Sequence, residues 1–167
     1  MSGRRPGSDG DDTRRLRGGL RLRSSAFSDH DLMPLRLSRE GGNTSPPLEW
    51  DGVPDTAEEL VLMCEDPDAP GAAPFLHWLV TGIDPRSRGV AEGQTPPGGR
   101  EWPNDYGEAG WGGPRPPRGD DPHRYVFRVV AVDEPLALPE NPESPDVHRA
   151  LEGHELAGAV TVGTFAR

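Results

Sequence analysis

The chain has 167 residues, of which 32% are apolar, and it carries a formal net charge of −10. This length suits one domain of ordinary size. No apolar window is long enough to span a membrane and the first residues lack the apolar segment of a secretory signal, so we expect a cytoplasmic protein without integral membrane contact. The acidic balance disfavours nucleic acid as a partner. Cys64 is the one cysteine, which excludes an internal disulfide framework and a multi-cysteine zinc site.

The N-terminal segment differs from the rest of the chain in charge and polarity. Residues 1–25 contain seven of the 18 arginines and three aspartates, which gives this segment a net charge of +4. The remainder of the chain therefore has a net charge of −14. The burial of so few apolar residues would not offset the conformational entropy that the segment loses when it becomes ordered. We therefore predict a disordered Arg- and Gly-rich tail over residues 1–25, a folded domain over residues 26–167, and an unchanged melting temperature when the chain is truncated to begin near Phe27.

The remaining pattern predicts a mainly β fold. The 20 prolines and 22 glycines lie between apolar runs, which favours strands joined by long ordered loops over a helical bundle. A short helix is predicted from Ser144, as its capping hydroxyl, to Gly153, and residues 155–157 are candidates to extend it. Apolar, β-branched and aromatic runs predict four strands, at 60–64, 75–83, 125–132 and 159–165. These elements indicate a β-sandwich with peripheral helices.

Three polar positions lie at or near the ends of these strands. Asp66 directly follows the first strand, in a loop that Pro67 and Pro70 stiffen, although the Asp-Pro-Asp segment taken alone is typical of an ordinary turn. His77 lies inside the second strand, where alternation places it opposite Trp78, and is either a satisfied core histidine or part of a pocket. His123 opens the third strand. If Asp66 accepts a hydrogen bond from either imidazole, the charged ring would suit a phosphate or carboxylate.

Two other site chemistries are open at this stage. Two histidines and one carboxylate also match a metal site, so a metal-dependent enzyme that uses Asp66, His77 and His123 is an alternative. A nucleophile-elbow pattern is absent from the sequence, and Cys64 in an apolar strand is expected to be inert. We therefore expect a protein that is not an enzyme and needs no cofactor or metal.

Several motifs together resemble the phosphatidylethanolamine-binding protein family, in particular its bacterial branch, which is often labelled Raf kinase inhibitor-like. They are Asp66-Pro67-Asp68-Ala69-Pro70, His77-Trp78, Gly113-Pro114-x-Pro116-Pro117-x-Gly119 and His123-Arg124-Tyr125, in that order. The resemblance covers the chain from about residue 27 to the C-terminus. It implies an antiparallel Greek-key β-sandwich with a few short peripheral helices and a pocket for phosphate-like anions.

The resemblance also implies a set of ligand-binding residues. Those that match the family pocket are Asp66, His77, His123 and Tyr125, with Asp68 and Pro70 shaping the loop. Arg115 stands where bacterial members vary and Trp111 where a tyrosine is often seen, departures that bear on ligand preference. The implied function is binding of a small anion or phospholipid head group, with a regulatory role; the alternative is a protein-interaction module that inhibits a kinase or protease through the loop at 114–118. A homodimer and an unidentified protein partner are left open.

Overall fold

The computed structural model describes residues 19–167, which form two β-sheets and one α-helix. The strands are β1 Arg21–Arg23, β2 Asp31–Leu32, β3 Leu48–Asp51, β4 Glu59–Asp66, β5 Phe75–Ile83, β6 Gly89–Val90, β7 Arg100–Glu101, β8 His123–Val132 and β9 Glu155–Phe165. The six-stranded sheet has the order β2-β9-β8-β4-β5-β7, and the three-stranded sheet has the order β1-β3-β6. All strand pairs are antiparallel except β2 with β9. Helix α1 spans Ser144–Leu151.

The main hydrophobic core lies between the two sheets. The three-stranded sheet contributes Leu22 and Trp50, and the central strands β4, β5 and β8 contribute residues such as Leu62, Trp78 and Phe127. Trp78 and Phe127 are fully buried, and large aromatic side chains bury enough area to anchor a core in a chain that is otherwise lean in apolar residues. The predicted mainly β sandwich is therefore confirmed.

A second core covers the opposite face of the six-stranded sheet, where α1 packs. Val147 and Leu151 of the helix meet Val61 and Met63 of β4. The helix begins one residue later than its N-cap, Glu143, so the hydroxyl of Ser144 is not the cap that the sequence suggested. That hydroxyl instead donates a hydrogen bond to the buried Glu65, 2.6 Å away.

The predicted strands and helix are all present, with corrected boundaries. Residues 155–157 belong to β9 and do not extend the helix, because Gly153 and a turn at 152–154 separate the two elements. Residues 21–23, which the tail prediction included, form β1 and pair with β3, so ordered structure begins before the predicted boundary at residue 25. Leu20 and Leu22 supply the burial that the composition of this segment does not suggest. The rest of the predicted tail, residues 1–18, lies outside the described residues.

Leu22→Ala tests the contribution of β1 to the fold. Leu22 is 2% exposed and pairs with Trp50 across the small sheet. We expect the substitution to lower the free energy of unfolding by about 3 kcal/mol, because a buried leucine is replaced by a cavity. Urea denaturation measures the change. The matched control is Arg23→Ala on the exposed face of the same strand, and an equally small effect of both variants would show that β1 is dispensable.

Candidate functional site

The candidate site lies where β4 ends and where β5 and β8 begin. Asp66 is the last residue of β4, and His123 is the first residue of β8. Because β4 pairs antiparallel with both β5 and β8, its end lies beside the starts of these two strands. Three distant parts of the chain thus place Asp66, His77 and His123 around one cavity.

A hydrogen-bonded pair of buried side chains, Asp66 and His123, forms one side of the site. His123 Nδ1 donates to Asp66 Oδ2 over 2.7 Å, and the two side chains are 5% and 4% exposed. The other carboxylate oxygen of Asp66 accepts a hydrogen bond from the backbone N–H of Asp68 at 2.7 Å. Burial raises the pKa of the Asp66 carboxyl, although these two hydrogen bonds oppose that rise.

The second ring nitrogen of His123 is also bound to a carboxylate. Nε2 donates to Asp120 Oδ2 over 3.0 Å. When both carboxyl groups are ionised they can only accept, so both ring nitrogens donate and the ring is an imidazolium. Burial lowers the pKa of His123, but the hydrogen bonds to Asp66 and Asp120 outweigh burial and raise it above its usual value. We therefore assign His123 as the buried cation of the site, whereas the Arg115 guanidinium is a second, exposed cation in the cavity wall.

His77 has the opposite electrostatic character. Its Nδ1 lies 2.6 Å from the carbonyl oxygen of Gly112, which can only accept, so Nδ1 carries the proton. Burial lowers the pKa of His77 to about 4, and the ring is neutral at physiological pH. Its remaining nitrogen, Nε2, is then a hydrogen-bond acceptor. The sequence-based expectation of a cationic ring holds for His123 and not for His77.

A β-bulge determines where the side chain of His77 lies. Across the β4–β5 pair, Glu65 is opposite Leu76 and Cys64 is opposite Trp78, so His77 is the extra residue. Bulges interrupt the alternation of side chains and turn one of them in a new direction. The prediction that simple alternation separates His77 from Trp78 was therefore wrong. The His77 ring lies 5.2 Å from that of Tyr125, which belongs to the same core cluster as Trp78.

Aromatic rings surround the neutral imidazole. The ring centroids of Phe75 and Tyr106 lie 4.7 Å and 5.8 Å from that of His77. The Tyr106 hydroxyl donates to the carbonyl of Gly113 at 2.9 Å and is thereby fixed. Burial, followed by the negative charge of Asp66, raises the pKa of Tyr125 well above its usual value, so that its hydroxyl remains a donor.

The cavity bounded by these side chains has a volume of about 350 Å³. This volume lies in the lower part of the range of volumes found for small-molecule sites in proteins. The outer wall is the proline-rich loop, in which Arg115 faces the cavity and also pairs with Glu40 at 3.2 Å. Arg167 Nε fixes this loop by donating to the Pro116 carbonyl at 2.7 Å. The lining residues are Asp66, Ala69, Pro70, Phe75, His77, Tyr106, Arg115, Pro116, Pro117, His123 and Tyr125.

Two of the predicted ligand-binding residues do not line the cavity. Asp68 accepts two hydrogen bonds from the Arg124 guanidinium, at 2.8 and 3.0 Å, so it fastens the loop after β4 to the start of β8. Trp111 lies in the core, where it stacks on Phe127 at 5.8 Å and its indole N–H donates to the Leu37 carbonyl. Both side chains are committed to structural contacts. Asp66, Pro70, His77, Arg115, His123 and Tyr125 do line the cavity, and their ligand-binding role stays a prediction.

Sequence reasoning missed Phe75, Tyr106 and Asp120 as members of the site. Tyr106 belongs to a stretch, Asn104-Asp105-Tyr106, whose nearness to His77 depends on a long connection between β7 and β8. The alternation of β5 relates Phe75 to His77 and could have indicated it. Asp120 gives no sequence signal, because its contact with His123 depends on how the loop after Gly119 turns.

The ligand atoms of Asp66, His77 and His123 are not arranged as a metal site. Within residues 19–167, three such atoms that all lie within 4.8 Å of one another occur only in Asp133, Glu134 and His154, at the other end of β8 and β9. In addition, both nitrogens of His123 are engaged with carboxylates. The geometry of these three residues therefore does not favour the alternative of a metal-dependent enzyme.

The fold and the site define a β-sandwich protein with a largely apolar cavity, into which a few polar side chains face, at one end of its central strands. Residues 23–166 match the family described as phosphatidylethanolamine-binding protein. The UPF0098 protein of Methanothermobacter thermautotrophicus is 42% identical over 89% of this chain and 99% of its own length. LppC of Mycobacterium tuberculosis, whose name describes a lipoprotein, is 40% identical over 87% of this chain and 72% of its own length.

Solved structures agree with this assignment. A phosphatidylethanolamine-binding protein homologue from Chlamydia trachomatis superposes with a TM-score of 0.79 at 34% identity, covering 90% of this chain and 99% of that one. Escherichia coli YbcL, described as a member of the mammalian PEBP family, gives 0.82 at 28% identity, covering 89% and 98%. The chain belongs to the phosphatidylethanolamine-binding protein family.

Within residues 19–167, no helix is long and apolar enough to cross a membrane. The cytoplasmic location stays a prediction.

His77→Gln tests whether His77 is buried in its neutral form. Between its usual pKa and about 4, the unfolded chain binds a proton that the native ring does not, so the stability of the wild type falls as the pH falls through this range. From pH 7 to pH 4.5 this loss is roughly 2 to 3 kcal/mol. Glutamine is a polar side chain of similar length that does not titrate. Denaturant unfolding should show a smaller loss in His77→Gln, whereas equal losses would mean that His77 charges readily in the native protein.

Proposed function

We propose that the chain binds a small anion, a phosphate or the phosphate of a phospholipid head group, in the cavity between Asp66, His77 and His123. The observation that carries this proposal is a buried imidazolium, His123, in the wall of an otherwise largely apolar cavity. A positive charge in such a place interacts more strongly with an anion than it would in water. Family membership supports the same assignment.

The other lining residues fit an anion that also carries a hydrogen-bond donor. The Tyr125 hydroxyl remains protonated and the Arg115 guanidinium reaches the outer wall, so both are available as donors. His77 Nε2 is an acceptor and suits a P–OH or N–H group of the ligand. The volume of about 350 Å³ is suited to a phosphate or a head group and is small for acyl chains.

We further propose that the protein acts as a binder and not as an enzyme. Within the described part of the chain, the cavity wall contains no serine, threonine or cysteine that an adjacent base could activate. Cys64 is fully buried in β4, and burial raises the pKa of its thiol well above the usual value. The alternative of a protein-contact surface at residues 114–118 stays a prediction, and Arg115 and Arg118 of this loop both face Glu40.

Calorimetric titration with sulfate, inorganic phosphate and phosphorylethanolamine tests the proposed function. We expect His123→Gln to weaken binding at least tenfold, because a charge-assisted contact contributes about 1.5 to 3 kcal/mol. The matched control is His154→Gln, the same substitution at the opposite end of β8 and β9, which should leave the affinity unchanged. Phosphatidylethanolamine vesicles, compared with phosphatidylcholine vesicles by co-sedimentation, distinguish a membrane head group from a free anion. Absence of binding of all three anions would contradict the proposal.

The pH dependence of sulfate binding tests which ring supplies the charge. Sulfate keeps its own charge between pH 5 and pH 8.5, so a change in affinity over this range reflects a change in the protonation of the protein. Because the pKa of His123 is raised, we expect binding to be tight below that pKa and to weaken up to about tenfold per pH unit above it. His77→Gln should retain this profile, since His77 is neutral throughout the range. A profile that changes with His77 and not with His123 would reverse the two roles.

A further inference from the structure

The positive charge of His123 is surrounded by carboxylates that leave its ring without an uncommitted N–H. Nδ1 is bound to Asp66 and Nε2 to Asp120, at 2.7 and 3.0 Å. An anion that enters the cavity can therefore obtain a hydrogen bond from this ring only by displacing one of the two carboxylates.

The two carboxylates differ greatly in how firmly they are held. The side chain of Asp66 is 4% exposed, and its second oxygen accepts the N–H of Asp68. The side chain of Asp120 is 46% exposed, and its only hydrogen bond within residues 19–167 is the one to His123. Moving Asp120 into water breaks one part-buried contact of a half-exposed side chain, whereas moving Asp66 leaves a buried charge unpaired.

The loop that carries Asp120 is suited to such a movement. Residues 117–122 are all exposed, and Gly119, with φ of 88°, adopts the left-handed conformation immediately before Asp120. Within the described residues, the backbone hydrogen bonds of this segment are one long contact, from the Gly119 N–H to the Arg167 carbonyl at 3.5 Å, and one local turn bond, from the Asp120 N–H to the Pro117 carbonyl at 3.2 Å. Segments with exposed backbone and few contacts open at low free energy.

The geometry points to Asp120 as an intramolecular competitor, which accepts the hydrogen bond of His123 Nε2 and must leave before an anion binds to that nitrogen. This inference rests on the proposed function, because it concerns the same cavity. The apparent dissociation constant of a ligand equals its intrinsic value divided by the fraction of molecules in the competent state. If the Asp120 contact is closed about ten times as often as it is open, removing it should tighten binding about tenfold.

Asp120→Ala, compared with Asp121→Ala, tests the inference by calorimetric titration with sulfate at pH 5.5 and constant ionic strength. Both variants remove one exposed negative charge from the same loop, but only Asp120 contacts His123. The remaining contact with Asp66 favours the protonated ring, and pH 5.5 lies below the usual pKa of histidine. We expect Asp120→Ala to bind sulfate about tenfold more tightly than the wild type, and Asp121→Ala to change the affinity less than twofold.

The outcomes separate this inference from the proposed function. If the wild type binds sulfate and Asp120→Ala binds it no more tightly, the proposed role of Asp120 is wrong and the proposed function is intact. The same conclusion follows if Asp120→Ala and Asp121→Ala gain affinity equally. Binding to Asp120→Ala alone would support both, the wild-type site being closed by its own carboxylate. If neither protein binds sulfate, phosphate or phosphorylethanolamine, both proposals fail. A histidine titration followed by NMR should also show a lower pKa for His123 in Asp120→Ala than in the wild type. In Asp121→Ala the pKa of His123 should be unchanged.

Discussion

The hydrogen bond between Asp66 and His123 is the contact on which the site depends. It joins the last residue of β4 to the first residue of β8, two positions separated by 57 residues in the chain. Without its partner, each side chain would be a buried polar group left with a single hydrogen bond, to the Asp68 N–H for Asp66 and to Asp120 for His123, and incompletely paired buried groups are disfavoured. Together they hold a charge in the wall of a cavity. The neighbouring contact of Asp68 with Arg124 joins the same two segments at the surface and so restricts their separation.

The two imidazoles of the site show how partners determine charge in a buried position. His77 and His123 are both almost fully buried, at 3% and 4% exposure. His77 has a carbonyl as its partner, and burial makes it neutral, whereas His123 has two carboxylates, and their hydrogen bonds make it cationic. One ring can therefore accept a hydrogen bond while the other attracts an anion. Under the proposed function, a cavity with both properties would suit an oxyanion that retains a proton or carries an amine.

Much of the fold could be predicted from local pattern, and less of the site. The buried strands β4, β5 and β8 follow from continuous runs of apolar and β-branched residues, because a strand covered on both faces has no polar alternation. β1 was missed because it has only three residues, and a single leucine between two arginines is too short an alternation of apolar and polar residues to indicate a strand. In the site, residues on strand ends were identifiable, whereas the bulge at His77 and the Asp120 contact depend on register and loop path. Trp111 was assigned to the site by resemblance, but it completes the core.

The two carboxylates on His123 have separable consequences for the protein. Asp66 belongs to a motif that the sequence shares with the family, and its burial makes it part of the fold as well as of the site. Asp120 lies on an exposed loop outside those motifs and contributes little to the packed structure. A substitution there can alter the charge that a ligand meets without disturbing the Asp66 contact. Ligand preference within this architecture can therefore change through rim residues such as Asp120 and Arg115, while the inner pair keeps the strand ends together.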